Sequence, residues 1–190
     1  MFSERQIEIL STSVEIIAEK GIQGLTIKNL AKAVGISEAA IYRHFESKAK
    51  ILMTILKLFE QESNNFLKDG TDVNPSEKII EFFHKMLTVF QANPSIASVI
   101  FGEEIFHNDA SLSKLVNSIM RNYQDYINNI IKDGQKQKIY RDDISSDHLT
   151  LYISGAIRLL VKEWCNKNSN EDLIKKGKFL LTTFLNLIKS

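Results

Sequence analysis

Between Ser37 and Lys48 the chain gathers side chains that can grip a polyanion and read the edges of bases. Ser37 and Glu38 open the run, Ala39 and Ala40 follow, Tyr42, Arg43 and His44 stand together, and Lys48 closes it. Thr26 and Lys28, just upstream, add a hydroxyl and a cation. The chemistry on offer is recognition. Hydroxyl and ammonium groups hydrogen-bond phosphate oxygens, an arginine fork fits guanine or phosphate, and alanine methyls can meet the methyl of thymine.

The residues between them say how this set would be held. Thr26 can cap a short helix whose inward face is Ile27, Leu30, Ala31 and Val34. Gly35 follows where a sharp turn needs a left-handed backbone. Ser37 can cap a second helix, and Glu38 suits the positive end of its dipole. Ile41 and Phe45 face inward, which leaves Ala39, Ala40, Tyr42, Arg43 and His44 outward. This is a helix-turn-helix pattern, whose second helix can enter a DNA major groove with its N-terminal residues against base edges. An ordinary helical hairpin could share the Ala-Gly-Ile spacing. The outward Tyr-Arg-His cluster, the two caps, and Lys48 just past a third cap at Ser47 favour DNA. The expected backbone contacts are Thr26, Lys28, Tyr42, His44 and Lys48; the expected base-edge residues are Ser37, Glu38, Ala39, Ala40 and Arg43.

The pattern IxxxGxxxLTIKNLAKAVGISEAAIYRHFESKAKIL, from Ile17 to Leu52, resembles the DNA-binding end of the TetR family of bacterial transcriptional regulators. The resemblance implies an all-α fold, a homodimer on a palindromic operator in double-stranded DNA, and repression relieved by a small-molecule effector. It also implies that Tyr42 and His44 grip phosphate. The stretch from Asn93 to Phe106 is similar to the nucleoid-occlusion branch of that family, the SlmA-like proteins. That likeness implies a different outcome, a DNA-bound scaffold that recognises a protein.

Composition sets bounds. The chain has 190 residues, 44% of them hydrophobic, and a formal net charge of +1. Residues 1–57 hold eight Lys/Arg against six acids, too small an excess for loose binding to phosphates, so site-specific contact is expected. No apolar run approaches the roughly 20 residues of a membrane span, and the charged start MFSERQIEIL argues against export. Cys165 is alone, which excludes an internal disulfide and fits a reducing cytoplasm.

Apolar residues recur at helical spacing almost throughout, giving an all-α expectation of about nine helices. Residues 1–47 are expected as the helix-turn-helix domain, and residues 48–190 as a helical effector-binding and dimerisation domain. Ser3 and Gln6 form a capping box for the first helix, with Ile7, Leu10, Val14 and Ile17 inward and Gly21 as its stop. Pro75 and Pro94 suit helix starts, Gly102 suits a break, and Ser111 opens a long helix. In the body, Phe82, Met86, Phe90, Phe101, Met120 and Tyr123 are expected to line a pocket for an apolar effector, although the same residues could be plain core.

The last two helices, from about Ser145 and Asn170, are too apolar for one buried face each. Ile153, Ala156, Leu160, Trp164, Leu181 and Phe184 are therefore expected at an interface between two copies. Glu103 and Glu104 could answer a cationic ligand, or simply lie exposed at a bend. The four histidines (His44, His84, His107 and His148) show no metal-ligand spacing, and there is no glycine-rich phosphate loop or nucleophile elbow. No enzyme, cofactor or metal is expected.

Overall fold

The structure, a computed structural model, describes residues 2–65, 67, 74–101, 109–166 and 171–190. Those residues form nine helices: α1 (Glu4–Gly24), α2 (Ile27–Val34), α3 (Glu38–His44), α4 (Lys48–Ser63), α5 (Pro75–Ala92), α6 (Pro94–Phe101), α7 (Ala110–Lys136), α8 (Ser146–Asn166) and α9 (Leu173–Ile188). None is long and apolar enough to cross a membrane.

Caps read from the sequence start most of them. Ser3 Oγ accepts from Gln6 N at 3.2 Å while Gln6 Oε1 accepts from Ser3 N at 3.0 Å, a complete capping box. Thr26, Ser37, Ser47, Asn74 and Ser145 each accept a backbone N–H three residues on. α7 differs from expectation. Asp109, not Ser111, caps it, taking the N–H groups of Ser111 at 2.8 Å and Leu112 at 3.0 Å. A carboxylate satisfies two orphan donors at once and carries the charge that the helix dipole favours.

The chain packs as two compact units: residues 1–61 with 93–116, and residues 62–92 with 117–190. In the first, α1 packs on α2, α3 and α6. The inward stripe of α1 is Ile9, Leu10, Ser13, Ile16 and Ile17; Ile7, expected inside, is 56% exposed. A helix with neighbours on several sides buries a wider arc than one stripe, and here that arc is rotated round α1 toward Ile9, Ser13 and Ile16. Gly21 interrupts α1 at φ 68°, so the chain turns there as expected.

In the second unit α9 packs on α5 and α8. Ile79, Phe82, Phe83, Met86, Leu87 and Phe90 are all buried on α5. Gly177 lets α9 approach so closely that a Cβ there would lie 2.1 Å from Leu87 Cδ1. Tyr140 is fully buried, and its hydroxyl shares a 2.9 Å hydrogen bond with Ser76. Arg141 N donates to Ile188 O at 2.8 Å and Ser190 N to Ile139 O at 3.1 Å, tying the end of α9 to the turn after α7.

Candidate nucleic-acid interface

The first unit presents α2, a turn and α3. Leu30 and Ala31 of α2 and Ile41 and Phe45 of α3 are buried, so both helices are held by their apolar faces. Gly35 has φ 75° and ψ 30°, and its N–H and that of Ile36 both return to Ala31 O. A Cβ residue there would be strained. Ser37 Oγ accepts from Ala40 N at 3.2 Å and fixes the first turn of α3.

With Ile41 and Phe45 inside, Ala39, Tyr42 and Arg43 share one outward face at i, i+3 and i+4. Tyr42 is 51% exposed, a large aromatic left in solvent. Thr26, Lys28, Ser37 and Glu38 are also exposed, and Ala40 and His44 are half-buried at the edge. Lys48 is half-buried, with Nζ donating to Ile22 O at 2.9 Å, just past the interruption of α1. This bond ties the start of α4 to the end of α1.

The residues expected to form an effector pocket divide between the units. Phe82, Met86, Phe90, Met120 and Tyr123 belong to the second, and Phe101 to the first. All but the half-buried Met120 are buried. Phe82 is the hub of an aromatic group, its ring centroid 5.5 Å from Tyr123 and 5.2 Å from Tyr126. Glu103, Glu104 and His107, with Gly102 and Phe106, lie outside the described residues.

The expected interface needs correction. Ile153 and Leu181 are only 1% and 2% exposed within the protomer, so neither has surface to give a second copy. Ala156, Leu160, Trp164 and Phe184 are half-buried, and the Trp164 indole N–H donates to Glu171 O at 2.8 Å, bracing the entry to α9. The apolar residues turned outward are Leu151, Tyr152 and Leu159 on α8 and Phe179 and Leu187 on α9, each more than half exposed. Both helices have apolar stripes on opposite sides. Composition shows that there are two, and only packing tells which is inside. Leu151, Tyr152, Gly155 and Leu159 recur at i, i+1, i+4 and i+8, a helical row that the sequence contains.

Known proteins match along the chain. The family model of the bacterial regulatory proteins of the tetR family matches residues 9–55, and that of the YsiA-like C-terminal region matches residues 54–186. The nucleoid occlusion factor SlmA of Aliivibrio fischeri is 31% identical over 159 residues, 80% of this chain and 80% of that protein. That of Marinobacter nauticus is 26% identical over 166 residues, 83% and 84% of the two chains. Among solved structures, the ketosteroid regulator KstR2 of Mycobacterium tuberculosis superposes with a TM-score of 0.84 at 18% identity, covering 100% of this chain and 97% of that one. The fatty acid degradation regulator FadR of Bacillus halodurans gives 0.78 at 19%, covering 97% and 96%. FadR of Bacillus subtilis, solved with stearoyl-CoA, gives 0.76 at 21%, covering 96% and 98%. With a helix-turn-helix in the first unit and family matches running from residue 9 to residue 186, the chain belongs to the TetR family of DNA-binding bacterial transcriptional regulators.

Proposed function

We propose that this regulator is a homodimeric repressor that holds a palindromic operator and leaves it when the second unit binds a small apolar effector. The observation that carries the reading is the α3 face, where Ala39, Tyr42 and Arg43 point outward over a buried Ile41 and Phe45. Ser37, Glu38, Ala39, Ala40 and Arg43 meet base edges, and Thr26, Lys28, Tyr42, His44 and Lys48 meet the backbone. The solvated apolar face of α8 and α9 supports the second copy, because a monomer gains nothing from leaving Phe179 76% exposed. The aromatic group around Phe82, with Met86, Phe90, Met120 and Tyr123, supports an apolar effector, and the stearoyl-CoA bound by the FadR relative points the same way.

The coupling is geometric. Two headpieces in one dimer reach both half-sites only at a spacing of roughly 34–36 Å or a multiple. A ligand that binds another arrangement better draws the population off DNA by its differential affinity. α6 is the element to carry this: it packs on α1 beside the helix-turn-helix, and only Asn93 separates it from α5 of the second unit.

A second reading, a DNA-bound scaffold for a protein, is favoured by the nucleoid occlusion factors among the relatives. Genome-wide occupancy, together with an operator-release screen of apolar compounds, separates the two. A few sites beside a neighbouring gene, with release by compounds that stabilise the protein, are expected for the repressor. Many scattered sites, with stabilising compounds that never alter operator affinity, overturn it in favour of the scaffold.

A further inference from the structure

Ala39 and Arg43 stand four residues apart on α3, in a row that begins two residues before the buried row of Ile41 and Phe45. Two residues turn an α-helix by about 200°, so the two rows lie on nearly opposite sides. Ala39 is exposed, whereas Ala40 is half-buried and gives its N–H to Ser37 Oγ. Arg43 is exposed, and its guanidinium makes no hydrogen bond or ion pair with any described residue. The side of α3 turned farthest from the headpiece core therefore carries one methyl group and one uncommitted cationic fork.

The chemistry of base edges narrows what each can read. A methyl group forms no hydrogen bond, and against a base amino or carbonyl group it displaces water and returns nothing. The major groove offers one apolar group, the C5 methyl of thymine. A guanidinium donates two parallel N–H bonds, and guanine alone presents two acceptors, N7 and O6, on its major-groove edge. Four residues of helix rise roughly 6 Å, and base pairs stack about 3.4 Å apart. For a helix lying along the groove, the two contacts therefore fall about two base pairs apart.

We propose that Ala39 and Arg43 together read two bases: each operator half-site carries a thymine met by the Ala39 methyl and, about two base pairs away, a guanine gripped by Arg43. The inference rests on the reading that α3 enters the major groove, and it assigns bases that this reading leaves open. Of the two alanines, Ala39 sets the thymine, because Ala40 is partly covered by the headpiece.

The test starts from the operator that the full-length protein selects from random double-stranded DNA. In that operator each thymine is replaced in turn by uracil, which lacks the methyl, and each guanine by 7-deazaguanine, which lacks the N7 acceptor. Dissociation constants are measured by fluorescence anisotropy. One uracil position per half-site is expected to weaken binding about fourfold, the scale of one buried methyl. One 7-deazaguanine position, about two base pairs from it, is expected to weaken binding about tenfold, the scale of one hydrogen bond to a charged group. Ala39→Gly should abolish the uracil effect and keep the 7-deazaguanine effect, and Arg43→Ala should do the reverse. Should either variant lose its fold in thermal unfolding, the scan of the wild-type protein still decides. Indifference to every uracil or to every 7-deazaguanine overturns the pair. So do sensitive positions more than about four base pairs apart, or a uracil effect that survives Ala39→Gly. A selected palindrome that shows this indifference defeats the base assignment alone. The sensitive pair, in an operator that no stabilising compound releases, defeats the effector-release reading alone. Selection that yields no preferred sequence defeats both.

Discussion

Arg43 and Lys48 are both cations near the exposed surface of one headpiece, yet they are expected to fail differently. Arg43 stands on the outward face of α3, where a guanidinium can form two parallel bonds to guanine. Arg43→Ala should cost roughly 1–3 kcal/mol of operator binding and relax preference at one base position. An unchanged preference in a selection experiment would place Arg43 on the backbone instead. Lys48 sits at the start of α4 with one donor on Ile22 O. Lys48→Ala should weaken binding to every sequence alike and lower the salt slope by about one per site contacted; a loss confined to one sequence contradicts that role.

Tyr140 is a residue of another kind. Burial pushes its hydroxyl above the usual tyrosine value, and the hydrogen bond to Ser76 pulls partly back. The folded state therefore holds this proton more tightly than the unfolded chain. Its contribution to stability is complete below about pH 10 and is lost as pH rises through the folded value. Alkaline denaturation followed by circular dichroism should show this loss, and Tyr140→Phe should flatten it.

At the scale of elements, two glycines mark a crowded inner stripe and an open outer one. Gly177 is buried where α9 crosses α5, and the Leu87 side chain it faces has no exposed surface. Gly177→Ala should destabilise the protein by about 1–3 kcal/mol in urea unfolding, because the crowded core must shift. Gly155 on α8 is exposed with nothing within 4 Å of where its Cβ would stand. Gly155→Leu should leave the folded protomer intact and, if the α8 face meets a second copy, lower the dimer fraction in sedimentation. Equal effects of the two changes would remove the distinction between inner and outer stripes.

For the whole molecule, the outward stripe replaces Ile153 and Leu181 as the place to test association. Leu159→Glu and Phe179→Glu put charge where the protomer meets solvent. Both should keep the melting temperature of the protomer nearly unchanged, lower the dimer fraction at micromolar concentration, and reduce operator affinity steeply. Ile153→Glu and Leu181→Glu put an unpaired charge into the core and should unfold the protein instead. A wild-type monomer with full operator affinity would refute the dimeric reading altogether.

The helix-turn-helix and most helix starts were legible in the sequence because they are local; the exceptions are α7, capped by Asp109 and not Ser111, and α9, capped by Asp172. A cap needs an oxygen three residues before an N–H, as Thr26, Ser37 and Ser47 show, and a left-handed turn needs a glycine such as Gly35. The residues of α3 that point outward follow from two buried neighbours and the helical period. What depended on distant partners could not be read in advance. α6 packs with α1 across about 70 intervening residues, and this places it in the headpiece unit, where chain order had put it in the body. Lys48 found the carbonyl of Ile22, and α8 and α9 chose one of two apolar stripes to bury. Periodicity fixes that a helix has an inside. Which side that is depends on the neighbour it meets, and the neighbour is set only by the tertiary structure.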